Sequence, residues 1–213
     1  MVTEPHDPLT GERRHLTVLF CDLVNSTGLA AQLDPEEWRE IVGEYHRAAA
    51  QAIERFGGHV AQYLGDGVMA FFGYPEAHDN DGERAARAGL AILYAISKLK
   101  EHPTHPKLAA RVGVDSGAVV VGAGAGKDTD VFGDTPNIAA RVQSSAEPGT
   151  VVITDAVHRL VSGLFVVEDR GVQALKGIER PVPLYRVVQP SGVRGRLQAA
   201  AAARGLTPFV GRE

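Results

Sequence analysis

The sequence predicts an α+β fold: a ferredoxin-like βαββαβ core carrying extra strands and helices. Three observations predict it. Short apolar runs of strand length are separated by two long segments of helical periodicity. A Gly-Asp-Gly turn joins two of the runs into a hairpin between those helices. Hydrophobic residues make up 44% of the 213 and charged residues 23%, the balance of a chain that buries a core.

The first strand is read at His15–Leu23, an apolar run that ends on Asp22. Asn25, Ser26 and Thr27 then offer caps for a helix start. Pro35 suits the opening of a long helix whose Trp38, Ile41, Val42, Tyr45, Ala49, Ala52, Ile53 and Phe56 share one face, and Gly57-Gly58 stops it. The hairpin follows, His59–Leu64 and Val68–Phe72 around Gly65-Asp66-Gly67. A second amphipathic helix spans Asp81 to Lys100, with Ala85, Ala88, Ile92, Ile96 and Leu99 on one side. Strands are expected at Ala110–Val114, Ala118–Val121 and Asp130–Phe132, then a helix opened by Thr135-Pro136. Two more strands are read at Val151–Thr154 and Leu184–Val188. The domain reading is a flexible start at 1–12, a catalytic domain at 13–189, a linker at 190–206 rich in Gly, Ala and Arg, and the opening of a further domain at 207–213.

The net charge of −4 argues against a nucleic-acid partner, which calls for a basic surface. One cysteine, Cys21, allows no internal disulfide and fits a reducing compartment. No run is long and apolar enough to cross a bilayer, and no signal peptide is evident, so a cytoplasmic protein is expected.

The chemistry concentrates in three segments. Asp22 ends an apolar strand, where a charge is costly unless paired or bound to metal. Asp66 tips a tight turn that would lie beside that strand. Two adjacent carboxylates repel, and a divalent cation offsets the repulsion. In Gly133–Arg141, Asn137 and Arg141 are four residues apart on one helix face, a suitable grip for a ribose and a phosphate.

Together FCDLVNST (20–27), YLGDGVMAFFG (63–73) and FGDTPNIAARV (132–142) resemble the class III adenylyl/guanylyl cyclase catalytic domain, in order and in separation. The resemblance covers about Arg13 to Val188. It implies the class III cyclase fold and a head-to-tail homodimer with sites at the interface. It also implies two divalent ions, Mg2+ or Mn2+, on Asp22, Asp66 and the Leu23 carbonyl. Asn137 and Arg141 match the ribose-orienting and transition-state residues, Lys176 the lysine that holds the terminal phosphates, and Gln62 and Asp130 the purine-reading positions.

Gln62 departs from the family, where lysine marks adenylyl and glutamate marks guanylyl cyclases. An amide both donates and accepts, so it suits either purine. Asp130, accepting only, favours the adenine amino group. The expected reaction is therefore ATP to cyclic AMP and pyrophosphate. The competing reading is a weakly active or inactive nucleotide-binding module that regulates a C-terminal domain. Gln62, Pro136 and the final TPFVGRE resemble a multidomain subgroup in which an NTPase-like domain follows.

Other signals are set aside. Gly122–Lys127 lacks the Walker spacing, since Val121 and Asp128 stand where Gly and Ser or Thr are needed. His102 and His105 have no partner ligands nearby, His78–Asp81 reads as a helix start, and Cys21 is expected in the core.

Overall fold

The computed structural model describes residues 11–99, 107–123 and 129–192. Expectations for residues 1–10, 100–106, 124–128 and those beyond 192 fall outside them. In chain order the elements are β1 (Glu12–Leu23), α1 (Ser26–Ala30), α2 (Pro35–Arg55), β2 (His59–Leu64), β3 (Gly67–Phe72) and α3 (Asp81–Leu99). Then come β4 (Ala110–Ala123), β5 (Thr129–Phe132), α4 (Asp134–Ser145), β6 (Val151–Thr154), α5 (Asp155–Leu160), β7 (Phe165–Gln173) and β8 (Val182–Pro190).

The strands form one sheet in the order β2-β3-β1-β4-β6-β8-β7, with β5 added alongside β4. β1 is flanked by β3 and β4 and runs antiparallel to both. The order β4-β1-β3-β2, with α2 and α3 as crossovers, is the expected βαββαβ core.

Alternation along β1 divides the molecule. Leu19, Cys21 and Leu23 join the core beneath α2 and α3, whereas Leu16 and Val18 face the other side, which α4 covers in part. α2 forms where its caps allow. The Asp34 side chain accepts a hydrogen bond from the Glu36 amide (2.9 Å), and Pro35 occupies the first turn. It buries Ile41, Tyr45, Ala49, Ala52 and Ile53. Each large side chain among these contributes about 1.5–3 kcal/mol of burial. The Tyr45 hydroxyl donates to Cys21 Sγ (3.3 Å), which puts Cys21 in the core as expected.

Four expectations need correction. The strands read at 110–114 and 118–121 are one strand, because Asp115-Ser116-Gly117 pairs without a break against Val18-Thr17-Leu16. Asn25 makes no side-chain cap; it adopts a left-handed backbone (φ 57°) before α1. Gly133, not Thr135, is the residue before α4, so Pro136 is third in the helix rather than first. Thr135 is buried and packs onto Gly117. Finally, α5 and β7 are additional elements that the apolar pattern does not reveal. Among the described residues no helix is long and apolar enough to cross a membrane.

Candidate active site

Asp22 lies at the end of β1, directly across from Arg111 of β4. Asp66 lies in the turn that joins β2 to β3, between Leu64 and Gly67. Gly65 makes that turn possible by taking a φ of 64°. Because β3 pairs with β1, the turn comes down beside Asp22, whose Oδ1 sits 3.8 Å from where a Cβ on Gly67 would be. The two carboxylates meet. Burial, then the Asp66 carboxyl beside it, pushes the pKa of Asp22 up to about 7; the Leu23 amide and Arg111 work in the opposite direction. Asp66 Oδ2 is buried and has no hydrogen-bond partner.

Such a pair is what a divalent cation relieves: hard oxygen donors, one of them unsatisfied, held close at an electrostatic cost. The residues fit a metal. Among the described residues no third His, Cys, Asp or Glu joins them, so further donors would be backbone carbonyls, substrate oxygens or water.

On the other side of the site, α4 is fixed tightly to the sheet. A Cβ added to Gly113 of β4 would come within 2.1 Å of the Gln143 amide nitrogen and 2.6 Å of the Ala139 carbonyl oxygen, so helix and strand touch backbone to backbone. Thr135, Ala139, Val142 and Gln143 are buried by this contact. Asn137 and Arg141 stand exposed together on another face, as their spacing predicts. Lys176 lies in the loop between β7 and β8. Its neighbour Leu175 is buried in a cluster with Val142 of α4 and with Ala146, the residue just after that helix, which ties the loop to the helix. Asn137, Arg141 and Lys176 make no side-chain hydrogen bond or ion pair with any described residue.

Gln62 is exposed on β2, across from Met69. Met69 in turn faces Phe20 across β1, so Gln62 lies on the same sheet face as Phe20 and Asp22. Asp130 stands in β5 opposite Gly122; its side chain is outside the described positions. The structure thus brings together Asp22 with Asp66, and Asn137 with Arg141 and the Lys176 loop. No side-chain hydrogen bond or ion pair between described residues joins the two groups.

Two neighbours escaped the sequence reading. Arg111 opposes Asp22 and donates to the Ser144 carbonyl at the end of α4 (3.3 Å); a lone cation in an apolar strand was its only signal. His46 of α2 packs at a tilt of 39° against Tyr63 (centroids 4.5 Å apart) next to the Asp66 backbone, and burial lowers its pKa. Helical spacing gave no reason to single it out.

Residues 10–189 match the family model of the adenylate and guanylate cyclase catalytic domain. The chain is similar to the solved guanylyl cyclase Cya2, at a TM-score of 0.81 and 28% identity over 88% of this chain and 98% of that one. It is also similar to the adenylyl cyclase CyaB from P. aeruginosa, at a TM-score of 0.79 and 28% identity over 85% and 97%. A curated relative, the uncharacterized protein R02095 of Rhizobium meliloti (strain 1021), is 29% identical over 206 residues, 95% of this chain. The chain spans only 20% of that relative's length, and between 13% and 37% of four further curated relatives.

Proposed function

Because this chain belongs to the adenylate and guanylate cyclase catalytic domain family, and is a nucleotide cyclase catalytic domain, we propose that it converts ATP to 3′,5′-cyclic AMP and pyrophosphate at sites shared by two copies in a head-to-tail dimer. One observation carries this reading: Asp22 and Asp66, 44 residues apart in sequence, converge, and Asp66 Oδ2 is buried without a hydrogen-bond partner.

Asp22, Asp66 and the Leu23 carbonyl would hold two divalent cations, Mg2+ or Mn2+, whose chemistry when bound is to acidify the ribose 3′-hydroxyl and to offset phosphate charge. Asn137 orients the ribose so that the 3′-oxygen faces the α-phosphorus in line with the departing pyrophosphate. Arg141 donates to the α-phosphoryl oxygens, where negative charge builds in the transition state. Lys176 holds the terminal phosphates as a point charge. With no side-chain partner among the described residues, these three side chains would serve a nucleotide gripped by the aspartates of a second copy.

Purine choice rests on Gln62 and Asp130. The Gln62 amide can donate to adenine N1 or accept from guanine N1–H, so it does not discriminate. Ionised, Asp130 accepts from the adenine 6-amino group and repels the guanine 6-oxygen. ATP is therefore preferred, with GTP a weaker substrate. The single cysteine, buried beneath α2, suits a cytoplasmic setting. A regulatory NTPase-like domain would follow this one, the arrangement that Gln62 and Pro136 resemble.

The test is product formation from ATP and GTP in parallel, with Mn2+, over a range of protein concentrations. Specific activity should climb with concentration, and cyclic AMP should exceed cyclic GMP. Mixing Asp22→Ala with Asn137→Ala, each inactive alone, should restore about a quarter of wild-type activity, because half the dimers carry one complete site of two. A mixture that stays dead while both variants still dimerise would place the whole site within one chain and end the shared-site reading. Nucleotide binding without turnover would favour a regulatory module.

A further inference from the structure

Beside the first turn of α4, on a face next to that of Asn137 and Arg141, lies a cavity of about 470 Å3 to which the nucleotide chemistry assigns no role. That volume suits a small organic molecule. Its wall includes Asp115, Ser116 and Thr154, all more than nine-tenths buried. Asp115 accepts a hydrogen bond from the Thr154 hydroxyl (2.6 Å). Among the described residues no cation forms an ion pair with it. Burial pushes its pKa up, and the Thr154 hydroxyl, the Ser116 amide and the more distant Arg180 and His15 offset this in part.

A carboxylate this buried is costly unless paired, and a neutral side chain of equal size would fit the hydroxyl equally well. Arg159 is already occupied by Asp155 (3.0 Å). Arg180 is different: it is exposed, lines the same cavity and forms no ion pair with any described residue. The cavity therefore holds a carboxylate in need of a cation and a guanidinium in need of an anion. Ile138, Ala156 and Val182 add apolar wall to the same cavity.

We propose that this cavity binds a small zwitterion the size of an amino acid, its ammonium group on Asp115 and its carboxylate on Arg180. The site is separate from the nucleotide chemistry and stands or falls apart from it.

The test uses the full chain and calorimetric titration with a panel of glycine, L-alanine, L-valine and γ-aminobutyrate, with propylamine and propionate as the two half-molecules. At least one zwitterion should bind at millimolar concentration or better, and each half-molecule should bind at least about tenfold more weakly. Asp115→Asn, which keeps an acceptor for Thr154, and Arg180→Ala, on the exposed rim, should each weaken binding by about tenfold or more. Asp22→Ala should leave it unchanged. Three results would overturn the proposal: no zwitterion of the panel binds, binding is indifferent to both substitutions, or propionate alone binds as well as the zwitterion. The last would make Arg180 a simple anion site.

Discussion

Asp22 and Asp66 come from separate elements and press two carboxylates together, whereas Asn137, Arg141 and Lys176 stand exposed with no side-chain partner among the described residues. The acidic region is under electrostatic load before anything binds. The polar and basic region is not: its groups are hydrated, and their interactions become strong only when water is excluded. The contrast teaches where the energy for catalysis is stored. On the proposed function, one region would gain by acquiring cations and the other by acquiring a desolvated phosphate.

Breaking the loaded region should have the largest effect. Asp22→Ala or Asp66→Ala should abolish product, with a loss beyond about a thousandfold, because both metal chemistry and nucleotide placement go with it. Radiolabelled ATP turnover measures this, and more than a tenth of wild-type rate in either variant would refute their metal role. Next comes Arg141→Ala, with kcat falling by about 100- to 1000-fold at nearly constant KM, because its partner charge develops only in the transition state. A large KM change with normal kcat would instead make Arg141 a ground-state contact.

The smallest effect sharpens the comparison without catalysis. The Asp22 pKa is raised from 3.8 to about 7, so between those values the folded chain binds more protons than the unfolded one. Stability without metal should then fall as pH rises through this window, and the penalty should be complete above about 7. Thermal unfolding at pH 5 and pH 8 should show it, with the slope reduced by Mn2+ and by Asp22→Asn. At pH 8 without metal, Asp22→Asn should raise Tm by about 2–4 °C, equivalent to about 1 kcal/mol. An unchanged or lowered Tm would mean that the pair carries no load.

Legibility in the sequence tracked how local each cause is. α2 was readable because its signals sit within a few residues: Asp34-Pro35 at one end and Gly57-Gly58 at the other. The β2–β3 hairpin was readable from its turn. β4 was read as two strands because Asp115-Ser116-Gly117 looks like a break, yet its polar groups are satisfied from far away. Thr154 serves Asp115, and the Thr17 hydroxyl lies 3.0 Å from that of Ser116. β7 was missed because Glu168, Asp169 and Arg170 on an edge strand give no apolar run. At the site, the spacing of Asn137 and Arg141 is local and was readable. The meeting of Asp22 with Asp66 depends on β3 pairing beside β1, and was inferred from the ordered set of motifs rather than from either alone. Arg111 and His46 could not be found, since only the folded sheet puts them beside those aspartates.

The bare contact at Gly113 reaches beyond packing. With no side chain to act as a bearing, α4 can neither roll nor slide over the sheet. Asn137 and Arg141 thus inherit the stiffness of the whole scaffold, and their reach cannot be tuned by bending one helix. A signal that turned this domain up or down would have to move helix and sheet together, as one rigid body.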